Sequence, residues 1–142
     1  MRKGVLAAGV ALSCFVGTAR AQVIPDLKGA WVKVPERGGA VRRGQFEHQP
    51  STDGEIVFGD PLTWTLTIER QEGVVFSGTW ASQNRTDPVV GAMSTNGKNL
   101  YLADDNGPIH GELRNPDQME ICRSLADADT MLAACRVLER RR

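Results

Sequence analysis

Histidine is scarce in this chain: His48 and His110 are the only two among 142 residues. Acyl-transfer triads and Cys-His pairs need a histidine base, and zinc sites need His or Cys at short, fixed spacings. His48 has Glu47 beside it and no nucleophile pattern nearby, while His110, between Ile109 and Gly111, falls on the outward phase of a strand. The expectation is a protein with no enzymatic activity, no catalytic residues, no metal and no cofactor. An excess of either charge is also missing, with 17 basic and 17 acidic residues. That balance lacks the electrostatic footprint of a nucleic-acid binder. Beyond the first 21 residues no window carries a convincing helical period, and only 125–134 leaves room for a turn or two of helix.

The N-terminus differs from the rest. Arg2 and Lys3 precede an apolar run from Gly4 to Val16, and Ala19-Arg20-Ala21 has the small-x-small form read by signal peptidase. The run is too short for a transmembrane helix. The reading is a signal peptide over 1–21, no membrane span, and a periplasmic or secreted bacterial protein. Acylation at Cys14 is the alternative, with Ala11 where leucine is usual. Removing 1–21 leaves 14 basic against 17 acidic residues, a net charge of −3, in one domain over 22–142.

Few cysteines remain. Cys122 and Cys135 make an even count in an exported chain, which predicts a disulfide. The runs MEICRS and MLAACRVLE read as two strands around a loop, so the bond staples a C-terminal hairpin. The pair lacks the CxxC spacing of redox and metal sites.

What the chain has in plenty is strand pattern. From Leu62 to Ser82, Trp64, Leu66 and Ile68 alternate with Thr65 and Thr67, and Phe76, Gly78 and Trp80 recur two apart after Gln71-Glu72-Gly73. A three-residue loop over 71–73 pairs Ile68 with Phe76, Leu66 with Gly78 and Trp64 with Trp80. One side becomes an apolar wall, and Gly78 leaves a gap in it where a backbone or a ligand can approach.

The remaining strands follow in order. Residues 26–34 form a first strand ended by Pro35. Residues 35–61 are rich in Gly, Pro and charge, a long irregular segment that hides a strand. Asn96-Gly97 pairs Met93 with Leu100 and Gly91 with Leu102. Pro108 excludes a tight turn on Asn106-Gly107, so the next turn centres on Asp105-Asn106 and pairs Leu102 with Ile109. Asn115-Pro116-Asp117 is a further turn. Arg37, Arg42 and Arg43 read as a charged edge, Arg140-Arg141-Arg142 as a solvated end, and Asp104-Asp105 as turn chemistry. Sequential hairpins without long connections give an all-β fold, an antiparallel up-and-down barrel of about eight strands.

The run Leu66-Thr67-Ile68-Glu69, Gln71-Glu72-Gly73, Phe76, Gly78-Thr79, Pro88-Val89-Val90-Gly91, Asn115-Pro116-Asp117, Met119-Glu120 and the two late cysteines resembles an uncharacterised group of small exported bacterial disulfide-containing β-barrel proteins. Gly78-Thr79-Trp80 and the strand order are more distantly similar to the calycins, the avidin and lipocalin type of barrel. Gly29-Ala30-Trp31 matches the lipocalin Gly-x-Trp opening. The resemblance implies a barrel that binds small molecules, although no biotin-binding ring of polar residues is present.

Two functions follow. In the first, the barrel binds a small apolar or amphipathic ligand, with Trp31, Trp64, Phe76, Gly78 and Trp80 as candidate binding residues; the same aromatics otherwise fill the core. In the second, the barrel is a rigid scaffold whose 35–61 segment binds another exported protein, for example as a periplasmic protease inhibitor.

Overall fold

The computed structural model describes residues 23–46 and 49–142. The signal-peptide reading of 1–21, Cys14 and His48 lie outside the described residues.

Strand alternation translates directly into architecture. Among the described residues, nine antiparallel strands form one sheet: β1 (Gly29–Arg43), β2 (Val57–Phe58), β3 (Thr65–Glu72), β4 (Val75–Ala81), β5 (Thr86–Met93), β6 (Asn99–Asp104), β7 (Gly107–Asn115), β8 (Gln118–Ala126) and β9 (Met131–Arg140). Each of β3 to β9 pairs with its sequence neighbour, and β1 closes the ring between β3 and β9. The result is a closed eight-stranded barrel with the two-residue β2 as an accessory strand on β1. Closure leaves the barrel strands no free edge along most of their length. Among the described residues there is no helix long and apolar enough to cross a membrane.

The inward phase carries the core. Trp31, Leu66, Ile68, Val89, Leu100, Met119, Ile121 and Leu138 are all essentially inaccessible to solvent. At about 25 cal/mol per Å² of apolar surface, each such side chain contributes on the order of 1.5 to 3 kcal/mol. The disulfide joins Cys122 to Cys135, which face each other across β8 and β9 on the outside of the barrel.

Two strand readings are corrected. Pro35 does not end the first strand. β1 continues to Arg43, and Pro35 sits in a bulge where the register with β9 shifts between Lys33 and Gly38. A bulge needs no ladder donor at that point, so proline is tolerated. Glu36, at φ 63°, takes up the local turn. The segment 35–61 thus contains the second half of β1, which pairs with β9 and, through Val41 and Arg42, with β2.

The central hairpin is out of the expected register by two residues up to Ile68 and by three between the bulge and the turn. Leu66 faces Trp80 and Ile68 faces Gly78, because the turn uses Gly73 and Val74 and a bulge falls between Ile68 and Arg70. Gly73, at φ 57°, occupies the first turn position, the glycine-first pattern of a II′ hairpin. A shift of two keeps Leu66, Ile68, Gly78 and Trp80 on their face, and the bulge takes up the odd residue that leaves Phe76 opposite Gln71 yet buried with them, so the apolar wall survives. The later registers agree with the sequence reading: Met93 faces Leu100, Leu102 faces Ile109, and Asn115 faces Gln118 around Pro116-Asp117. The Asn96-Gly97 connection keeps its register but uses a four-residue loop, with the Gly97 N–H donating to the Ser94 carbonyl at 2.9 Å.

Candidate functional site

The two ends of the barrel differ. At one end, residues 24–28 cross beneath the strands and seal them. The Gln71 amide donates to the Pro25 carbonyl at 2.9 Å and accepts from the Leu27 N–H at 2.7 Å. Trp31 Nε1 donates to the Leu27 carbonyl at 2.8 Å, and the Arg140 guanidinium lies 4.4 Å above the Trp31 ring. Arg140 also donates to the carbonyls of Lys28 at 2.7 Å and Asp26 at 2.6 Å. It is therefore a structural clamp, not part of a solvated end.

The other end carries the turns after β4, β6 and β8 and residues 44–46 and 49–64, and here the interior is not sealed. A recess is lined by Trp64, Trp80, Ile109 and Ile121 below, by Arg123, Arg136, Asn106 and Gln49 around it, and by Phe46, Leu125 and Leu132 at the lip. Its cavity volume is about 40 Å³, or about 540 Å³ when all the space between atoms, open solvent included, is counted. The smaller figure is the one that bears on burial: room for about three waters. The barrel's other half is filled by its own side chains.

Trp64 and Trp80 stack with their ring centroids 5.4 Å apart and 19° between planes. The Arg136 guanidinium sits 4.9 Å from the Trp64 centroid, within cation-π range. Asp60 holds this corner together. Its Oδ1 accepts from Trp64 Nε1 at 3.0 Å, its Oδ2 from Arg136 Nε at 2.5 Å, and Lys33 Nζ stands 3.2 Å from Oδ2. Lys33 Nζ also donates to the Leu62 carbonyl at 3.1 Å. Burial alone raises the Asp60 pKa, but the Arg136, Trp64 and Lys33 contacts outweigh it and hold the carboxyl below its ordinary value. Across the recess, Arg123 Nη2 lies 2.5 Å from Asp104 Oδ2, an ion pair whose side chains are 11% and 1% exposed. Arg85 bridges Asp87 and, at 3.1 Å, Asp105.

The segment over the mouth is anchored rather than draped. Arg42 Nη1 donates to the Pro50 carbonyl at 2.7 Å, the Gly44 N–H donates to Thr52 Oγ1 at 2.7 Å, and Gln49 pairs back onto Phe46. Arg42 is buried, so the charged-edge reading fails for it: the bulge places it on the inward phase with Ala40.

Of the five candidate binding residues, Trp64 and Trp80 line the recess. Trp31 lies at the sealed end. Phe76 is buried against Gly91, where an added Cβ would stand 2.3 Å from the ring. Gly78 opens onto no cavity, since a Cβ there would sit 1.8 Å from the Thr67 carbonyl oxygen. Its role is close approach of β3 and β4 backbones.

The polar residues of the site went unread in the sequence, although a signal was there. Arg123 shares the inward phase of Met119, Ile121 and Leu125, Arg136 that of Leu132, Ala134 and Leu138, and Asp104 that of Leu100 and Leu102. A charge on an apolar phase marks a buried ion pair or a site. Asp60, in a loop, carried no such mark. His110 is exposed on the outer face, edge-on to Tyr101 at 5.7 Å. Among the described residues no three His, Cys, Asp or Glu side chains converge as a metal site would require.

No protein-family description and no curated protein matches this chain. Its fold is similar to two designed proteins. One is a redesigned beta barrel, 13% identical, covering 82% of this chain and 92% of its own, with a TM-score of 0.42. The other is a de novo designed fluorescence-activating beta barrel, 13% identical, covering 80% and 93%, with a TM-score of 0.39.

Proposed function

We propose that this protein is an exported, non-enzymatic binding barrel of calycin-like type that holds a small amphipathic molecule at its open end. The observation that carries this reading is the mixed lining of one recess: a stacked tryptophan pair below, apolar lip residues, and a few polar groups between them. Ligand sites combine an apolar wall with a small number of placed polar groups in this way. A cavity of about 40 Å³ suits a head group rather than a whole lipid. The disulfide supports export to an oxidising compartment.

Intrinsic tryptophan fluorescence tests the reading. Titration with a panel of lipids and aromatic metabolites changes the emission of Trp64 and Trp80 for at least one member; unchanged emission with every member would remove the proposal.

A second reading has its own observation. Ile56, within 35–61, is 62% exposed and lines an apolar groove with Met131 on β1, β8 and β9, and Phe58, 80% exposed, pairs with Val41 of that groove. In that reading the barrel is a scaffold and this flank binds another exported protein, such as a protease. An Ile56→Ser, Phe58→Ser variant then loses partners recovered from an envelope extract by the parent protein. An unchanged partner list sinks that reading.

A further inference from the structure

We propose that the open-end recess selects an anion: a small monocarboxylic acid with an apolar body and one hydroxyl. This rests on the small-ligand reading above and names its chemistry.

The charge of the lining points to an anion. Among the described residues, two arginines, Arg123 and Arg136, border the recess, and no carboxylate does. Their partners Asp60 and Asp104 stand behind them and engage only part of each fork. Arg136 gives its Nε to Asp60, and Arg123 places Nη2 on Asp104. A guanidinium has five N–H donors. Among the described residues no hydrogen bond reaches Arg123 Nε or Nη1, or Arg136 Nη1 or Nη2, and the buried Arg123 Nη2 meets Asp104 only as an ion pair. Asp60 is also shared with Lys33, so this corner carries two cations on one carboxylate. A carboxylate fits guanidinium forks in geometry and charge. A carboxylate also matches a cavity with room for about three waters.

The hydroxyl follows from a different residue. Gln49 is 8% exposed, lines the recess, and its side-chain oxygen has no hydrogen-bond partner among the described residues. A buried amide atom without a partner is uncommon, and leaving it so is unfavourable. A ligand hydroxyl donates to an amide oxygen and accepts from an amide nitrogen, so it serves the side chain in either orientation. Phe46, Leu125 and Leu132 then hold the apolar body between the head and the opening.

The test uses the 22–142 chain at low salt and neutral pH, with 4-hydroxybenzoate, benzoate and 4-hydroxybenzamide as probes read by tryptophan fluorescence. The acid binds about tenfold or more tightly than the amide, since charge-assisted hydrogen bonds replace neutral ones. Gln49→Leu keeps the preference for acid over amide and loses the preference for 4-hydroxybenzoate over benzoate. The paired variant Arg123→Gln, Asp104→Asn, which leaves no lone buried charge, narrows the acid-to-amide ratio; should it fail to fold, the probe series and Gln49→Leu decide alone. If the amide binds as tightly as the acid, the anion inference is overturned and the small-ligand reading stands. If 4-hydroxybenzoate and its amide both leave the emission unchanged while another member of the lipid and metabolite panel alters it, the inference falls and the reading survives. If nothing alters it, both fall.

Discussion

Trp64 and Trp80 stack at 5.4 Å without being cross-strand partners, because Trp80 faces Leu66 and Trp64 lies one inward step further along. The contact is therefore diagonal, within the reach of large aromatic side chains on neighbouring strands. It places two indoles side by side at the floor of the open end, where Arg136 and Asp60 fix one of them by its face and its N–H.

Asp60→Asn tests that corner. The substitution leaves Arg136 and Lys33 without their shared carboxylate in a place where Asp60 is 2% exposed. Breaking one partner of a buried ion pair costs about 3 to 5 kcal/mol, read as a loss of denaturant midpoint at unchanged slope.

The same group sets a pH dependence. Its folded pKa lies below the ordinary value of 3.8, so the unfolded chain takes up the proton first as pH falls. The stability from Asp60 is fully present above about pH 4 and is lost below it, as pH drops through the folded pKa. Thermal unfolding between pH 6 and pH 2 shows an acid-side decline that is reduced in Asp60→Asn.

Gly78→Ala separates packing from access. A Cβ would stand 1.8 Å from the Thr67 carbonyl oxygen, a backbone atom that cannot rotate away. We expect a loss of roughly 1 to 3 kcal/mol or more, the range for forced overpacking. Gly39→Ala, with nothing within 4 Å, serves as the control and stays near neutral. Chemical denaturation of both variants checks this.

Removing the disulfide as Cys122→Ser, Cys135→Ser opens a loop with a sequence separation of 13. The expected loss is about 3 kcal/mol in the chain-entropy model, visible as a lowered melting temperature with the barrel's circular-dichroism spectrum retained.

The barrel was legible because period-two alternation and turn chemistry are local: Asp105-Asn106 and Pro116-Asp117 fix their registers within a few residues. The β3–β4 register was not, since the bulge after Ile68 depends on Gly78 meeting β3 across the hairpin. β1 was misjudged at Pro35 because a bulge against β9 is a pairing of residues a hundred positions apart. For the site, Trp64 and Trp80 could be read from alternation. Which end of the barrel stays open could not. That depends on 24–28 folding under one end and Arg140 clamping it, while Arg42 and Thr52 hold residues 44–46 and 49–64 over the other.

The most direct test of an open end with one sealed opposite uses the three indole N–H signals of the isotope-labelled protein during titration with 4-hydroxybenzoate and the lipid and metabolite panel. Trp64 and Trp80 Nε1–H are expected to shift together and saturably while Trp31 Nε1–H, bonded to the Leu27 carbonyl at the sealed end, stays in place. A saturable shift at Trp31 with Trp64 and Trp80 unmoved, or no shift at any of the three, would contradict an open end at Trp64 and Trp80.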